Sequence, residues 1–318
     1  MKVTFLNRET SNRFFLLTFQ TEMKAIEHSS SPNYKCVVCD HTSSIPHLQE
    51  LQKCAQCGFV SAHMQLTYAD LKKIYSSSYF NGDEYADYLG DAAVAEKNFK
   101  RRIKRIRKEL ELDDRSVLEL GCAHGLFGRE LLNQSPTTNY CGFDPSTEAI
   151  RYAQETLELD ARSDDYLEVE LDKKIEVAFL WDVIEHLHDL ESYFSKLSSD
   201  MQLDGTIYIT TGDIDRLLPR MRAQRWRMIH PPTHLHYFSR KTLTQFLHRH
   251  NLEVVSFRYP SVSRSYHLIF YSLFLLKKNR PSKLVKWIYT KIPKSWSIRI
   301  NTFDIIEIVA KKREKNLT

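Results

Sequence analysis

The chain has 318 residues, of which 42% are hydrophobic and 27% charged, a balance typical of a folded globular protein and not of a disordered one. Its formal net charge of +5 is too mild to identify a class of partner. The longest late apolar run, Leu268–Leu276, has about nine residues, far fewer than the roughly 20 that a membrane-spanning helix needs. The N-terminal run Phe14–Leu17 is too short for a secretory signal, so we expect a cytoplasmic protein.

Two Cys-x-x-Cys pairs follow residues 1–32, which we expect to be a poorly ordered leader. Cys36 and Cys39 form the first pair, Cys54 and Cys57 form the second, and fourteen residues separate the pairs. Four thiolates at this spacing are typical of a structural Zn²⁺ site, whose tetrahedral shell leaves no position for catalysis. We therefore predict a zinc-binding module, a small zinc ribbon, at residues 33–62, with four metal-free thiols as the alternative.

Residues 63–112 contain a tyrosine-rich segment and then a predicted helix, and we expect them to cover the active site. Phe99, Ile103, Ile106 and Leu110 recur at spacings of four, three and four residues, which indicates one apolar helical stripe. The opposite face is basic. It carries Lys97, Lys100, Arg101, Arg102, Lys104, Arg105, Arg107 and Lys108.

From Ser116 onward the predicted elements alternate between strand and helix. Strands are predicted at 117–120, 140–143, 175–181 and 206–211, and helices at 126–133, 147–157, 190–197 and 241–250. Two late β-rich runs, at 253–258 and 303–310, suit a sheet that is closed by terminal strands. This alternation predicts an α/β fold with a parallel-rich sheet and helices on both faces.

The segment Val117–Gly125 runs from an apolar strand through a turn of small residues into a helix. Small residues let a ligand approach the backbone closely, and a helix N-terminus offers unpaired N–H groups. The dinucleotide fingerprint Gly-x-Gly-x-x-Gly/Ala fails here, because the sixth position counted from Gly121 is Leu126. The turn therefore predicts a nucleotide site that is not a site for NAD.

Asp144 stands at the end of the next predicted strand, twenty-three residues after Gly121. A carboxylate at this place in a doubly wound sheet can accept hydrogen bonds from both ribose hydroxyls. Glu119, just before the glycine turn, can face the ammonium group of a ligand. The alternative for Asp144 is a plain helix cap.

A third apolar strand ends in Trp181 and Asp182, and Glu185 and His186 follow closely. Polar side chains at this position lie at the carboxyl edge of a parallel sheet, where ligands of such folds bind. Taken alone, His186 suits a packing role as well as a functional one.

Residues 117–125, 140–150 and 178–189 resemble the successive motifs of class I S-adenosylmethionine-dependent methyltransferases. The likeness covers roughly residues 34–260 and extends to a subgroup with an N-terminal zinc knuckle, which includes sugar C-methyltransferases and enzymes of saccharide and natural-product clusters. The further matching segments are Tyr75–Phe80 with Tyr85 and Tyr88, Phe99–Arg107, Thr210–Asp215, Trp226 and Pro231–Ser239. Ala123 departs from the pattern, since many members have a second glycine there.

This resemblance implies a Rossmann-like, seven-stranded methyltransferase sheet over residues 113–318, with S-adenosylmethionine as the methyl donor. The implied cofactor contacts are Glu119, Gly121, Ala123, Gly125, Asp144, Asp164, Trp181 and Asp182. The implied catalytic candidates are His234 and His186 as bases, with Tyr79 shaping the acceptor pocket. Sugar C-methyltransferases carry a glutamate before the base and a tyrosine three residues before it, whereas this chain has Thr233 and Pro231. C- and O-methylation therefore both stay open. The alternative for His234 and His236 is that they cap a loop and have no catalytic role.

No carboxylate occurs between Glu253 and Asp304, although that stretch holds ten lysines and arginines. We expect a basic helical insertion at about 262–300, which either contacts an anionic membrane surface or a phosphate-bearing substrate, or simply packs on the sheet.

The sequence thus predicts methyl transfer to a small molecule, a saccharide or a nucleotide-sugar. An RNA methyltransferase and a non-catalytic cofactor-binding protein are the alternatives, and nucleic acid is not the expected partner.

Overall fold

The structure is a computed structural model that describes residues 34–48, 51–62, 64–75, 92–274, 282–293 and 295–314. The expected leader and Tyr79 lie outside these residues. Contacts divide the chain into two compact units, Met1–Lys35 and Cys36–Thr318, and the elements below belong to the second unit.

The described elements follow one another in a mixed order of strands and helices. The strands are β1 (Ser44–His47), β2 (Leu51–Cys54), β3 (Val60–Ala62), β4 (Ser116–Leu120), β5 (Asn139–Phe143), β6 (Ala161–Arg162), β7 (Ile175–Trp181), β8 (Met201–Gly212), β9 (His236–Tyr237), β10 (Leu252–Arg258), β11 (Val262–Ser265), β12 (Ser297–Ile300) and β13 (Ile305–Lys312). The helices are α1 (Tyr68–Ile74), α2 (Ala92–Ile106), α3 (Leu126–Gln134), α4 (Thr147–Glu155), α5 (Leu190–Asp200), α6 (Leu217–Arg222), α7 (Arg240–Arg249), α8 (Tyr266–Phe274) and α9 (Lys283–Lys291). Short 3₁₀ turns occur at Tyr166–Glu168, Ile184–His186 and Ala223–Arg225.

Seven strands form the main sheet in the order β10–β13–β8–β7–β4–β5–β6. The strands from β8 to β6 pair in parallel. Because β13 runs antiparallel to both β8 and β10, it is the single reversed strand of the sheet. The predicted seven-stranded α/β sheet, closed by two late strands, is confirmed.

The central strand β7 is buried on both faces over Val177–Trp181, as this apolar run requires in a parallel sheet. Val177 and Phe179 belong to a core cluster that also contains Ile103 and Ile106 of α2. Alternate residues such as Ala178 point to the opposite face and are equally buried. Helices therefore cover the sheet on both sides.

A second sheet joins the cysteine-rich segment to a strand from the later part of the chain. Its strand order is β1–β2–β3–β9, and β9 comes from residues that are distant in sequence. Val60 pairs with Tyr237, and Ser61 pairs with His236. An apolar cluster fastens this junction, with members Leu51, Val60, Ala62, Trp226, Met228, Leu235 and Tyr237. The cysteine-rich segment is thus built into the same packed unit as the histidine-bearing loop.

The stretch between β10 and β13 forms a β-hairpin with two helices between its strands. β11 and β12 pair antiparallel, and α8 and α9 lie between them. Asn98 of α2 fixes the hairpin through two hydrogen bonds of 2.8 Å with the backbone of Ser263. In the described part of the chain, no helix has both the length and the apolar character needed to cross a bilayer.

Candidate active site

A cavity of about 380 Å³ opens at the carboxyl ends of β4, β5 and β7. This volume lies within the range of ligand pockets. Residues of α1, α2 and the β11–α8 segment complete its walls. The cavity therefore lies where a doubly wound sheet is expected to bind its ligand.

The small-residue turn after β4 forms one wall of this cavity. Gly121 has φ +71° and donates its N–H to the carbonyl oxygen of Phe143 at 2.7 Å. A Cβ at this position would lie 2.3 Å from Cγ2 of Val183, so glycine is required both by the backbone and by space. Ala123 also lines the cavity, and its φ of +47° is an unfavourable left-handed conformation for a residue with a side chain.

Gly125 does not line the cavity but begins helix α3 in the left-handed conformation, with φ +76°. A Cβ there would lie 2.5 Å from Cδ1 of Leu159 and 3.0 Å from Cβ of Ala153. This glycine therefore lets α3 pack closely on neighbouring residues.

Asp144 directly follows β5 and is buried in the cavity wall. Its two carboxylate oxygens each accept a backbone hydrogen bond of 2.9 Å, one from Ala123 and one from Ser146. Burial raises the pKa of the Asp144 carboxyl to about 6, even though these two hydrogen bonds act in the opposite direction. Asp144 thus secures the glycine turn and holds Ser146, the N-cap of α4, and its remaining lone pairs are available to a ligand.

Glu119 is buried and does not line the cavity. Its carboxylate accepts a hydrogen bond of 2.6 Å from the hydroxyl of Tyr140. Burial raises the pKa of the Glu119 carboxyl to about 8, and the charge of Asp144 adds to this effect. The structure therefore does not bring Glu119 together with the residues that face a ligand.

Asp164 lines the cavity near the end of the sheet, as does Tyr68 of α1. The Tyr68 hydroxyl donates to the backbone oxygens of Ser163 at 3.1 Å and of Asp164 at 2.9 Å. The sequence offered no signal for Tyr68, since a single tyrosine in a tyrosine-rich segment has no distinctive pattern.

Trp181 and Asp182 line the cavity at the end of β7, together with Arg102 of α2. The Arg102 guanidinium lies 4.0 Å from the centroid of the Trp181 ring, a cation–π contact. Asp182 is exposed and has φ +56°, a strained conformation that recurs at functional sites.

The placement of Arg102 on a face opposite the apolar stripe was wrong. Position 102 lies three residues after Phe99 and four before Ile106, so its side chain borders the stripe and reaches the cavity. Arg105 likewise turns inward, to a buried carboxylate, Glu307 of β13. Arg258 also binds Glu307, with hydrogen bonds of 2.8 and 3.0 Å.

His186 lines the cavity, whereas His234 lies behind it and is buried. The two rings stand perpendicular with centroids 4.5 Å apart. Nδ1 of His186 lies 2.7 Å from both the Tyr75 hydroxyl and the backbone oxygen of Thr233, and Nδ1 of His234 lies 2.8 Å from the backbone oxygen of Met228. Since a carbonyl only accepts, both rings carry their proton on Nδ1.

Burial keeps both histidines neutral at neutral pH. It lowers the pKa of His186 to about 4, and it lowers the pKa of His234 well below the usual value, with the neighbouring His186 adding to the effect. The predicted pair of histidines is thus brought together, but only one member faces the cavity.

Glu185 lies beside the two histidines and was not singled out by the sequence pattern. It is 1% exposed, and burial and the charge of Asp182 raise the pKa of its carboxyl to about 8. A burst of polar residues after β7 was visible in the sequence, but the pattern could not tell which of them turn inward.

The four cysteines of the two Cys-x-x-Cys pairs converge. The Sγ atoms of Cys36 and Cys57 are 3.6 Å apart, as are those of Cys39 and Cys54, and all four lie within 4.8 Å of one another. Disulfide sulfurs are about 2.05 Å apart. Sulfur atoms around a tetrahedral Zn²⁺ with bonds of about 2.3 Å are about 3.8 Å apart. The observed spacing fits a metal site and not a disulfide pair.

Residues 93–257, more than half of the chain, match the family model of a methyltransferase domain. The chain belongs to this methyltransferase family. The enzyme is accordingly an S-adenosylmethionine-dependent methyltransferase with an α/β fold. No curated protein matches the sequence significantly.

Several solved structures resemble the methyltransferase in fold at low sequence identity. An S-adenosylmethionine-dependent methyltransferase from Archaeoglobus fulgidus is 20% identical, with a TM-score of 0.46, over 68% of this chain and 94% of that one. Magnesium protoporphyrin IX methyltransferase from Synechocystis PCC 6803 is 12% identical, with a TM-score of 0.47, over 74% and 97% of the two chains. The pyocyanin biosynthetic protein PhzM is 13% identical, with a TM-score of 0.44, and the match spans 68% of this chain but only 54% of that protein.

Proposed function

We propose that the enzyme methylates an oxygen or an activated carbon of a small-molecule or saccharide acceptor, including nucleotide-sugars. One observation carries this proposal: a single cavity is lined by Gly121 and Asp144 at the carboxyl ends of β4 and β5 and also by His186. A donor and an acceptor can therefore be held side by side, and alignment of two reactants is worth roughly 7–11 kcal/mol in a well-oriented site.

In the proposed donor site, the free lone pairs of Asp144 accept hydrogen bonds from the ribose hydroxyls of the cofactor. Gly121 and Ala123 let the amino-acid part of the cofactor lie against the backbone. Asp164 lies near the nucleobase, and Trp181 and Asp182 close the site at β7. The bound cofactor supplies an electrophilic methyl group on a sulfonium. Glu119 and Gly125, which do not line the cavity, support the turn from behind.

The acceptor is proposed to lie at the His186 side of the cavity. Tyr75, Val94 and Leu268 give this region apolar surface, while Arg264 adds a cation that suits the phosphates of a nucleotide-sugar. His234 donates to a backbone oxygen and not to an acid, so it lacks the orienting carboxylate of the sugar C-methyltransferases. Because His186 faces the cavity, it is the member of the pair on which activation of the acceptor depends.

The test measures conversion of cofactor to S-adenosylhomocysteine with a panel of saccharides, nucleotide-sugars and phenols. We expect His186→Ala to lower turnover about 10²–10⁴-fold, as for loss of an acid–base group, while the affinity for S-adenosylhomocysteine is kept. His248→Ala, an exposed histidine on α7, is the control. Binding of the nucleotide without turnover of any acceptor would favour the non-catalytic alternative, and salt-dependent RNA binding would favour an RNA methyltransferase.

We propose that Cys36, Cys39, Cys54 and Cys57 bind one structural Zn²⁺. The support is the convergence of the four sulfur atoms at tetrahedral spacing. With cobalt substituted for zinc, a tetrathiolate site gives strong near-ultraviolet charge-transfer bands. We expect these bands in the native protein and in a Cys141→Ser control, and their loss in Cys39→Ser. Bands of equal strength in Cys39→Ser would refute the assignment.

We further propose that the insertion contacts an anionic membrane surface. Leu284, Trp287 and Ile288 share one exposed face of α9, and Trp296 is 62% exposed nearby in sequence. The sequence between Glu253 and Asp304 has ten cations and no carboxylate, which complements anionic headgroups.

Flotation with phosphatidylglycerol-containing and with purely phosphatidylcholine vesicles tests this contact. We expect binding to the anionic vesicles only, a loss of at least about tenfold in Trp287→Ser, and no change in Leu217→Ser, an even more exposed apolar residue on α6. Equal binding to both vesicles, binding to neither, or self-association through this face would each overturn the proposal.

A further inference from the structure

Glu185, His186 and His234 form a compact cluster beside the cavity. One donor atom from each residue lies within 4.8 Å of the other two. Glu185 is 1% exposed, and in the described part of the chain its carboxyl makes no ion pair; polar groups near it include the Thr211 side chain and its own backbone N–H. Burying an ionised carboxylate is costly unless it is paired, so a carboxyl at this place either keeps its proton or binds a cation.

The two histidines are oriented as metal ligands commonly are. Each donates its Nδ1–H to a backbone carbonyl, Thr233 for His186 and Met228 for His234, which leaves each Nε2 lone pair free to bind. Histidines that bind metals almost always use the other ring nitrogen as a donor in this way, because the hydrogen bond sets the tautomer and the ring orientation.

We propose that Glu185, His186 and His234 bind a divalent transition-metal cation, separate from the site formed by the four cysteines. Two imidazoles and one carboxylate are the donors of open zinc and iron sites, in which at least one coordination position is left for water or substrate. Metal–ligand bonds of about 2.1 Å place two donors at most about 4.2 Å apart, so small side-chain shifts close the cluster around a cation.

The location of the cluster indicates what such a cation does, and this step rests on the proposed function. His186 lines the cavity, so a ligand there can reach the cation. A cation lowers the pKa of an oxygen that it binds. The acceptor hydroxyl loses its proton to solvent, its oxygen forms a bond to the methyl carbon, and the carbon–sulfur bond breaks with its electron pair left on sulfur, giving S-adenosylhomocysteine.

The test measures Mn²⁺ binding to the zinc-loaded full-length protein. Binding is detected by electron paramagnetic resonance, because the signal of free Mn²⁺ disappears when the ion is bound. We expect one Mn²⁺ per native chain. Glu185→Gln and His234→Gln should each weaken binding by more than about 100-fold, since loss of an outer-shell partner alone costs 10–100-fold. His230→Gln removes an exposed histidine outside the cluster and should still bind Mn²⁺.

A measurement on the native protein is sufficient to overturn the inference. Absence of binding for Mn²⁺, Co²⁺ and Zn²⁺ beyond the single ion of the cysteine site would refute it, as would unchanged binding in a folded Glu185→Gln protein. Turnover without a second cation refutes the role of the cation in the reaction and leaves the methyl-transfer proposal intact. Cation binding without turnover of any acceptor supports the cation site and contradicts the methyl-transfer proposal.

Discussion

Replacing Gly121 with alanine should reduce both the stability of the enzyme and its affinity for the cofactor. Gly121 has a left-handed backbone conformation, and an added Cβ would meet Cγ2 of Val183 at 2.3 Å. The left-handed conformation costs an alanine roughly 1–2 kcal/mol. Forcing a methyl group against a packed side chain costs about 1–3 kcal/mol more. We therefore expect the free energy of unfolding to fall by roughly 2–5 kcal/mol.

Gly125→Ala is a matched control for this effect. Gly125 has nearly the same φ, and its added Cβ would meet Cδ1 of Leu159 at 2.5 Å. Because only Gly121 lines the cavity, the two variants should lose similar stability but differ in binding. Gly121→Ala should weaken binding of S-adenosylhomocysteine at least about tenfold, which corresponds to about 1.4 kcal/mol, while Gly125→Ala keeps near-native affinity.

Urea denaturation gives the stability of each variant, and titration calorimetry below the unfolding transition gives the affinity. Adding Val183→Ala to Gly121→Ala removes both γ-carbons from the contact, so the steric part of the lost stability should return while the conformational part stays. An equal loss of affinity in Gly125→Ala and Gly121→Ala would contradict a specific role of Gly121 in the cavity. If Val183→Ala restores no stability to Gly121→Ala, the steric contact with Val183 is not the cause of the loss.

Three further changes test other parts of the site. Affinity for S-adenosylhomocysteine should decrease as the pH falls through about 6, because protonation of Asp144 removes the carboxylate that we propose accepts hydrogen bonds from the ribose hydroxyls; calorimetry should show a weaker and pH-independent affinity in Asp144→Asn. Ala123→Gly should raise the free energy of unfolding by up to about 1 kcal/mol, since it relieves a left-handed alanine, as measured by urea denaturation. Glu307→Ala should lower it by about 3 kcal/mol, because three arginines lose a shared buried carboxylate, and Glu307→Gln should lose less in the same assay.

The sheet and its nucleotide edge were predictable because they depend on local signals. Apolar runs, turns of small residues and a carboxylate after a strand follow one another along the chain, and parallel strands bring their carboxyl ends to one edge. Gly121 and Asp144 were found in this way, and the structure places both on the cavity. Their predicted contacts with the cofactor stay predictions.

The residues that were missed act through contacts between distant segments. Glu307 lies far from Arg102 and Arg105 in sequence, so nothing local indicates that β13 draws basic residues of α2 inward. The helical spacing of Arg102 from Phe99 and Ile106, together with the length of an arginine side chain, would have placed it at the edge of the apolar stripe. No local pattern indicates Tyr68, because its contacts depend on the position of the whole helix α1.

The cysteine module is connected through backbone hydrogen bonds to the segment that carries Glu185 and His186. The Ala62 N–H of β3 donates to the Leu235 oxygen at 2.8 Å, and the Leu235 N–H donates to the Glu185 oxygen at 2.8 Å. Leu235 follows His234 directly, so backbone hydrogen bonds run without interruption from the cysteine-rich sheet to the loop that carries two members of the Glu185–His186–His234 cluster. A metal that stabilises this sheet therefore also fixes the histidine loop, although no cysteine of the four touches the cavity. The proposed role of the module is therefore to position other residues, which is consistent with a closed four-thiolate shell that has no reactive position of its own.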